Sequence, residues 1–244
     1  MRITTYLGLL LGLACIALAA WANGGEASLF AHRGALLLVL GGTFAAATLA
    51  SSRRTALHAL SAASRLFVTP TLSPWQVSVA LVDLARKARA GGLDTLDPES
   101  LSLDDPFLLK GLGLVIDGVE PERLVELLRI ESEILSERRV QAERLFQLMG
   151  RVALLLGAAG TLLALMQLPA GASTQLLAST LGSAILGLLL AGLLFMPLAG
   201  KVRTLDRSEQ LVRDQVVTGL LAVRLGQNPD YVAESLAVFA QKNG

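Results

Sequence analysis

The sequence predicts an all-α polytopic membrane protein, with four transmembrane helices, a helical cytoplasmic insert and a helical cytoplasmic tail. Three observations carry this. Of 244 residues, 53% are hydrophobic and only 17% charged, and the mean hydropathy is +0.58; soluble domains carry about 25% charged residues. The apolar residues gather into four blocks towards the two ends, with a charged stretch between them, which is the distribution of a membrane protein with a folded insert. No segment shows the two-residue alternation of a half-buried strand.

The blocks cover about residues 3–22, 34–51, 152–168 and 173–200, and none contains Asp, Glu, Lys or Arg. Each has at least the ~17 residues needed to cross a hydrocarbon core about 30 Å thick. In lipid the backbone must satisfy its own hydrogen bonds, so the blocks are expected to be helices. The chain therefore divides into spans one and two (1–51), a cytoplasmic helical domain (52–150), spans three and four (151–200) and a cytoplasmic tail (201–244). Arg2, Arg53, Arg54, Arg65, Arg151, Lys201, Arg203 and Arg207 flank the spans on one side, whereas the links on the other side hold only Glu26, His32 and Arg33, or no charge at all. Basic residues stay inside; this places both termini and the insert in the cytoplasm.

The Ala20-Trp21-Ala22 stretch resembles a signal-peptidase site, but the apolar run before it is long, and a retained helix is expected. Cys15 is the sole cysteine, so neither an internal disulfide nor a cysteine metal site is available, and a packed thiol is expected. His32 and His58 lie far apart. No phosphate loop, metal-ligand spacing or nucleophile elbow is present, so the chain does not read as an enzyme and calls for no cofactor. Its net charge of +1 argues against a nucleic-acid partner.

Small residues recur in the spans: Gly41, Gly42 and Ala45–Ala47 in span two, Gly157–Gly160 in span three, and Gly182, Gly187, Ala191 and Gly192 in span four. They let helix backbones approach closely, either within the chain or, as four spans make a thin bundle, in a homo-oligomer. In the insert, Ser73-Pro74 predicts a helix start, Val77, Ala80, Leu81, Leu84 and Ala88 share one face, and Gly91-Gly92 stops the helix. A second helix is expected from Asp105-Pro106 to Asp117-Gly118. A third opens at Pro121 and meets no breaker before Gly150, so it is expected to run into span three. The tail is expected to be helical to Leu225, with Asn228-Pro229-Asp230 starting a last helix.

Several of these stretches, in order along nearly the whole chain, resemble MotA/PomA-type stator subunits of bacterial flagellar motors, within the wider family that includes TolQ and ExbB. They are Leu40-Gly41-Gly42-Thr43, the run from Leu81 to Arg89 with Gly92-Leu93, Asp105-Pro106-Phe107-Leu108-Leu109-Lys110-Gly111-Leu112, Gly160-Thr161, Phe195-Met196-Pro197-Leu198-Ala199 and Gly226-Gln227-Asn228-Pro229. The resemblance implies a ring of five such chains around two copies of a single-span MotB/PomB-like partner, which carries an intramembrane aspartate and a peptidoglycan-binding domain. It implies that protons, or alternatively Na+, pass at their interface and that the ring turns against a flagellar rotor. An independent reading agrees: intramembrane proton relays use ionisable side chains, and the spans here hold no carboxylate, so a partner is expected to supply the acid.

By the same resemblance Arg89 and Asp97 stand at rotor-contacting positions, with Asp97 one methylene shorter than the usual Glu; the alternative is two solvated charges flanking a helix end. Thr161 matches a hydroxyl of the ion path, which can assist a carboxylate or a dehydrating cation; the alternative is a bond to its own helix. Pro197 matches a proline that couples ion passage to movement by freeing a carbonyl; the alternative is simple span termination. Two departures stand out. Leu154 replaces a family proline, and Ala184 replaces a threonine three residues before Gly187, with Ser183 beside it as a substitute. The missing threonine favours protons over sodium. The departures also leave open a non-conducting ring scaffold, and a TolQ/ExbB-like energiser of outer-membrane processes is a third possibility.

Overall fold

A computed structural model describes residues 14, 33–51, 73–98, 103 and 105–241. The first apolar block apart from residue 14, Cys15, both histidines, and Arg2, Arg53, Arg54 and Arg65 lie outside the described residues. Among those described, every regular element is helical. They are α1 (Gly34–Ala50), α2 (Pro74–Gly91), α3 (Pro106–Ile116), α4 (Pro121–Met166), α5 (Thr174–Thr180), α6 (Gly182–Arg224) and α7 (Pro229–Gln241). A short 3-10 turn covers Leu93–Thr95.

The chain divides into two units. The first holds residues 1–68 and 138–203, the second residues 69–137 and 204–244. Helices α4 and α6 contribute residues to both.

The local signals act where the sequence places them. At the start of α2 the Ser73 N–H donates to Gln76 Oε1 at 3.2 Å, one half of a capping box, and Gly92 ends it at φ +86°, a conformation that glycine adopts without penalty. Asp105 Oδ1 accepts from the Leu108 N–H at 2.8 Å ahead of Pro106 in α3. Asn228 Oδ1 accepts from the Asp230 N–H at 3.2 Å at the start of α7. The helix opened by Pro121 runs unbroken for 46 residues through Gly150 into the third apolar block.

The second unit closes around a leucine and valine core that includes Leu81, Leu84, Leu108, Leu112, Leu124, Leu128, Leu220 and Leu236. Glycine admits close approach at two places: a Cβ on Gly111 would collide with Leu220, and one on Gly219 would sit 2.5 Å from Leu81. Arg224 fastens the α3–α4 turn, donating to the carbonyls of Val119 (2.9 Å) and Gly118 (3.0 Å). The first unit packs Val39, Ala47, Phe146, Met149, Ala153, Phe195 and Ala199. Large apolar side chains on it remain exposed, among them Leu37, Leu49, Leu155, Leu162 and Met166. Helices α4 and α6 are both long and apolar enough to cross a membrane, and α1 is a shorter apolar helix.

The fourth apolar block departs from the single helix expected. Its hydrogen-bond ladder is disturbed at one residue, Leu181, between α5 and α6, where the backbone stays in the right-handed helical region (φ −73°, ψ −13°). The hydroxyls of Ser179 and Thr180 donate to the carbonyls of Leu176 and Leu177, each at 2.7 Å, and such bonds compete with the helix ladder. Within α6 a π turn covers Leu190–Phe195, and the Met196 N–H donates five residues back to Ala191. Pro197 follows at once. Having no N–H, it is best tolerated at the start of an α-helical stretch, and Met196–Arg224 is such a stretch. The helix therefore continues past Pro197 rather than terminating there. A second π turn lies in α1 at Leu37–Gly41.

Candidate functional site

Helices α4 and α6 cross in the first unit with backbone touching backbone. Ala153, Gly157 and Gly160 recur at intervals of four and three on α4, as Ser183 and Gly187 do at four on α6, so each set shares a helix face. A Cβ on Gly157 would sit 2.8 Å from the Ser183 carbonyl oxygen and 3.0 Å from Gly187 Cα, and one on Gly187 would sit 2.5 Å from the Ala153 carbonyl oxygen. These glycines are fixed by space. Side chains close the site from above: a Cβ on Gly160 would lie 3.0 Å from both Ser183 Oγ and Leu38 Cδ2 of α1.

At that crossing Thr161 Oγ1 and Ser183 Oγ stand 3.0 Å apart. Thr161 also donates to the Gly157 carbonyl at 3.2 Å, so the bond to its own helix is present alongside the contact with a second hydroxyl. With its proton on Gly157, Thr161 accepts from Ser183, and each oxygen keeps lone-pair capacity. Ser183 is buried and Thr161 half-buried. Two adjacent hydroxyls without a carboxylate can hydrogen-bond an acid supplied from outside or replace part of a cation's hydration shell. They do not themselves titrate near neutral pH. Ser183, four residues before Gly187, faces the crossing, whereas Ala184 is half-buried beside it.

Thr43 is fully buried in α1 and donates to the Val39 carbonyl inside the π turn. Pro197 lies at the other end of the first unit's α6 segment and is exposed. Arg89 and Asp97 belong to the second unit. Arg89 is exposed in the last turn of α2, and Asp97 is exposed after the 3-10 turn. Leu96 beside Asp97 is buried in the core, which anchors that loop. The residues singled out from the sequence thus form one contact pair, Thr161 with Ser183, and separate surface positions.

The sequence reading missed a buried ion cluster in the second unit. Arg213 of α6, 5% exposed, donates to Ser136 Oγ (2.8 Å) and Ser132 Oγ (3.0 Å) of α4 and lies 3.4 Å from Asp206 and 3.5 Å from Glu209. The signal was present: Arg213, Val216, Leu220 and Val223 continue one stripe, and Ser132 and Ser136 interrupt the stripe begun by Leu124 and Leu128. A charge on a core stripe needs partners.

The glycine crossing and the acid-free hydroxyl pair define, as a class, an all-helical protein with a polar site between two helices that are long and apolar enough to cross a membrane. The family model of the MotA/TolQ/ExbB proton channel family matches residues 99–215. Motility protein A of Borreliella burgdorferi is 32% identical over 167 residues, covering 65% of this chain and 63% of that protein. Chemotaxis protein PomA of Vibrio alginolyticus is 28% identical over 234 residues, covering 94% of this chain and 91% of that protein. The solved structure of the C. jejuni MotAB complex superposes with a TM-score of 0.89 at 20% identity, covering 98% of this chain and 96% of its counterpart. The flagellar MotAB stator complex from Bacillus subtilis gives 0.88 at 22% identity, covering 97% and 95%. These two likenesses establish the fold. Over residues 99–215 the chain is thus similar to the MotA/TolQ/ExbB proton channel family, and over nearly its whole length it is similar to PomA.

Proposed function

We propose that this protein is the A subunit of a flagellar stator, an ion-driven rotary motor unit. In it, the Thr161–Ser183 pair lines the ion path and a partner supplies the titrating carboxylate. The observation that carries this reading is the hydroxyl pair, 3.0 Å apart at a glycine crossing, in spans that contain no acid of their own. The near full-length similarity to PomA supports the flagellar role.

On this reading the chain has four spans, with both termini and residues 52–150 in the cytoplasm of a bacterial inner membrane. Five copies surround two copies of a single-span MotB/PomB-like subunit with an intramembrane Asp. Protons are the favoured ion, with Na+ the alternative. Pro197, next to the π turn at Leu190–Phe195, couples ion binding to movement of α6. Arg89 and Asp97, exposed on the second unit, contact the flagellar rotor. Exposed Leu155, Leu162 and Met166 face lipid or neighbouring copies.

One observation favours a second reading, a non-conducting ring scaffold: Leu154 stands at the family proline's position in span three. Against it, Ser183 keeps a hydroxyl at the crossing despite Ala184. The test is gentle-detergent purification from the native host with mass spectrometry of the intact complex. A ring holding two copies of a single-span, aspartate-bearing, wall-binding chain is the expected result. A ring without that chain would sink the stator reading in favour of the scaffold.

A further inference from the structure

Gln215 of α6 is fully buried in the second unit, next in sequence to Val216 of the leucine and valine core. Its amide nitrogen donates to the Pro74 carbonyl at 3.0 Å and to Ser78 Oγ, both in the first two turns of α2. Its Oε1 meets no donor among the described residues. A buried amide is stabilised only as far as it is hydrogen-bonded, so an apolar side chain of similar size would serve packing better here. One turn further along α6, Gly219 admits Leu81 against the backbone: a Cβ there would sit 2.5 Å from Leu81 Cδ1. Gln215 with Pro74 and Ser78, and Gly219 with Leu81, are thus two successive contacts between the same pair of helices. The first is directional, because a hydrogen bond weakens steeply as its angle closes; apolar burial has no direction. In helix pairs a single buried polar residue can fix register at a cost in stability. From this seam α2 leads to exposed Arg89 in its last turn, about 16 Å along the helix from Ser78.

We propose that Gln215 is a positioning residue: its amide holds the start of α2 at one place on α6 and so fixes where Arg89 stands for the rotor. This rests on the rotor-contact reading of Arg89 above. Two separate contacts define the direction of α2 on α6. With the Gly219 contact alone, α2 slides and pivots about Leu81, and its far end, which carries Arg89, moves with it. Methionine is unbranched and fills irregular core space, so Gln215→Met removes the directional contact and keeps the packing.

The test uses the full chain with its co-purified partner. Ala90→Cys and Thr218→Cys, at exposed positions of the second unit, carry spin labels in a Cys15→Ser background, and the distance between the labels reports the setting of α2 on α6. Gln215→Met is combined with Ser78→Ala, so that neither side chain is left buried and unpaired. The expected result is a second distance population about five-fold larger than in wild type, the scale of one hydrogen bond. The unfolding midpoint stays at or above wild type, ion flux in proteoliposomes stays at the wild-type level, and the torque of tethered cells falls. Should the double variant fail to assemble, Ser78→Ala alone, which removes one acceptor, replaces it with a smaller shift in the same direction. An unchanged distance distribution, or flux lost together with torque, would overturn the proposal. Undiminished torque despite a shifted distribution would overturn it too where Arg89→Glu is impaired. Where Arg89→Glu also rotates normally, the rotor reading falls and the hold of Gln215 on α2 stands.

Discussion

In the second unit the fully buried side chains are large: Leu81, Leu84, Leu108, Leu112, Leu124, Leu128, Leu220 and Leu236. In the first, the tightest contacts are made by residues with almost no side chain, Gly157, Gly160 and Gly187. The contrast follows from the solvent expected around each. Water drives leucine into a core at about 25 cal/mol per Å2 of apolar surface buried. Lipid tails are as apolar as leucine and give helices no such drive, so helices there associate through close backbone packing and polar contacts. The same contrast governs polar groups. The second unit buries a full charge, Arg213, and surrounds it with two hydroxyls and two carboxylates. Among the described residues of the first, the buried polar ones include Thr43, Thr180 and Ser183, whose hydroxyls are each bonded to a neighbour or to their own helix.

If the glycine crossing is the first unit's counterpart of a core, filling it is the most damaging change available. Gly187→Leu drives a side chain into the Ala153 carbonyl and is expected to abolish swimming and co-purification of the partner. Overpacking of about 1–3 kcal/mol or more has nowhere to relax when the obstacle is backbone. Swimming on soft agar would check it, and a motile Gly187→Leu strain would break the comparison.

Next in size comes the ion cluster. Asp206→Ala leaves Arg213 buried with fewer partners and is expected to destabilise the protein by about 3 kcal/mol or more, as for a broken buried pair, seen as a lower unfolding midpoint in detergent. Leu220→Ala should cost about 2–5 kcal/mol through the cavity it leaves, checked by the same melt, with no direct effect on the Thr161–Ser183 contact. Arg89→Glu is expected to leave the melt within about 0.5 kcal/mol, as for an exposed residue, while impairing rotation of tethered cells. Undiminished rotation would remove Arg89 from the rotor contact.

The smallest effect sharpens the contrast within one helix. A Cβ at Gly192 would meet nothing within 4 Å, unlike one at Gly187. Gly192→Ala is therefore expected to be neutral or to stabilise by up to about 1 kcal/mol through helix propensity. A loss of assembly would mean that another helix occupies that space in the complex.

Much of the fold was legible because its signals are local. Ser73-Pro74, Asp105-Pro106 and Asn228-Pro229 each fix a helix start through groups three residues apart or fewer. The 46-residue helix was legible from the lack of any breaker between Pro121 and Gly150. The disturbed ladder at Leu181 and the π turns were not, since they depend on which carbonyls the neighbouring hydroxyls and amides take. Of the candidate site, Thr161 was legible by resemblance. That Ser183, rather than position 184, meets it depends on the face α6 presents to α4, which a sequence offset of one residue does not settle. Arg213 was written into an apolar stripe, but its serine partners sit 77 and 81 residues away.

The most direct test of the central claim is light-driven or gradient-driven acidification of vesicles that carry the complete complex, comparing the wild-type chain with the double variant Thr161→Val, Ser183→Ala. Both substitutions nearly preserve volume, so the glycine crossing should stand. The account predicts intact assembly, with proton flux reduced at least about ten-fold, the scale of losing one or two hydrogen bonds to a charged species. Undiminished flux through an intact complex would contradict it and place the ion route elsewhere.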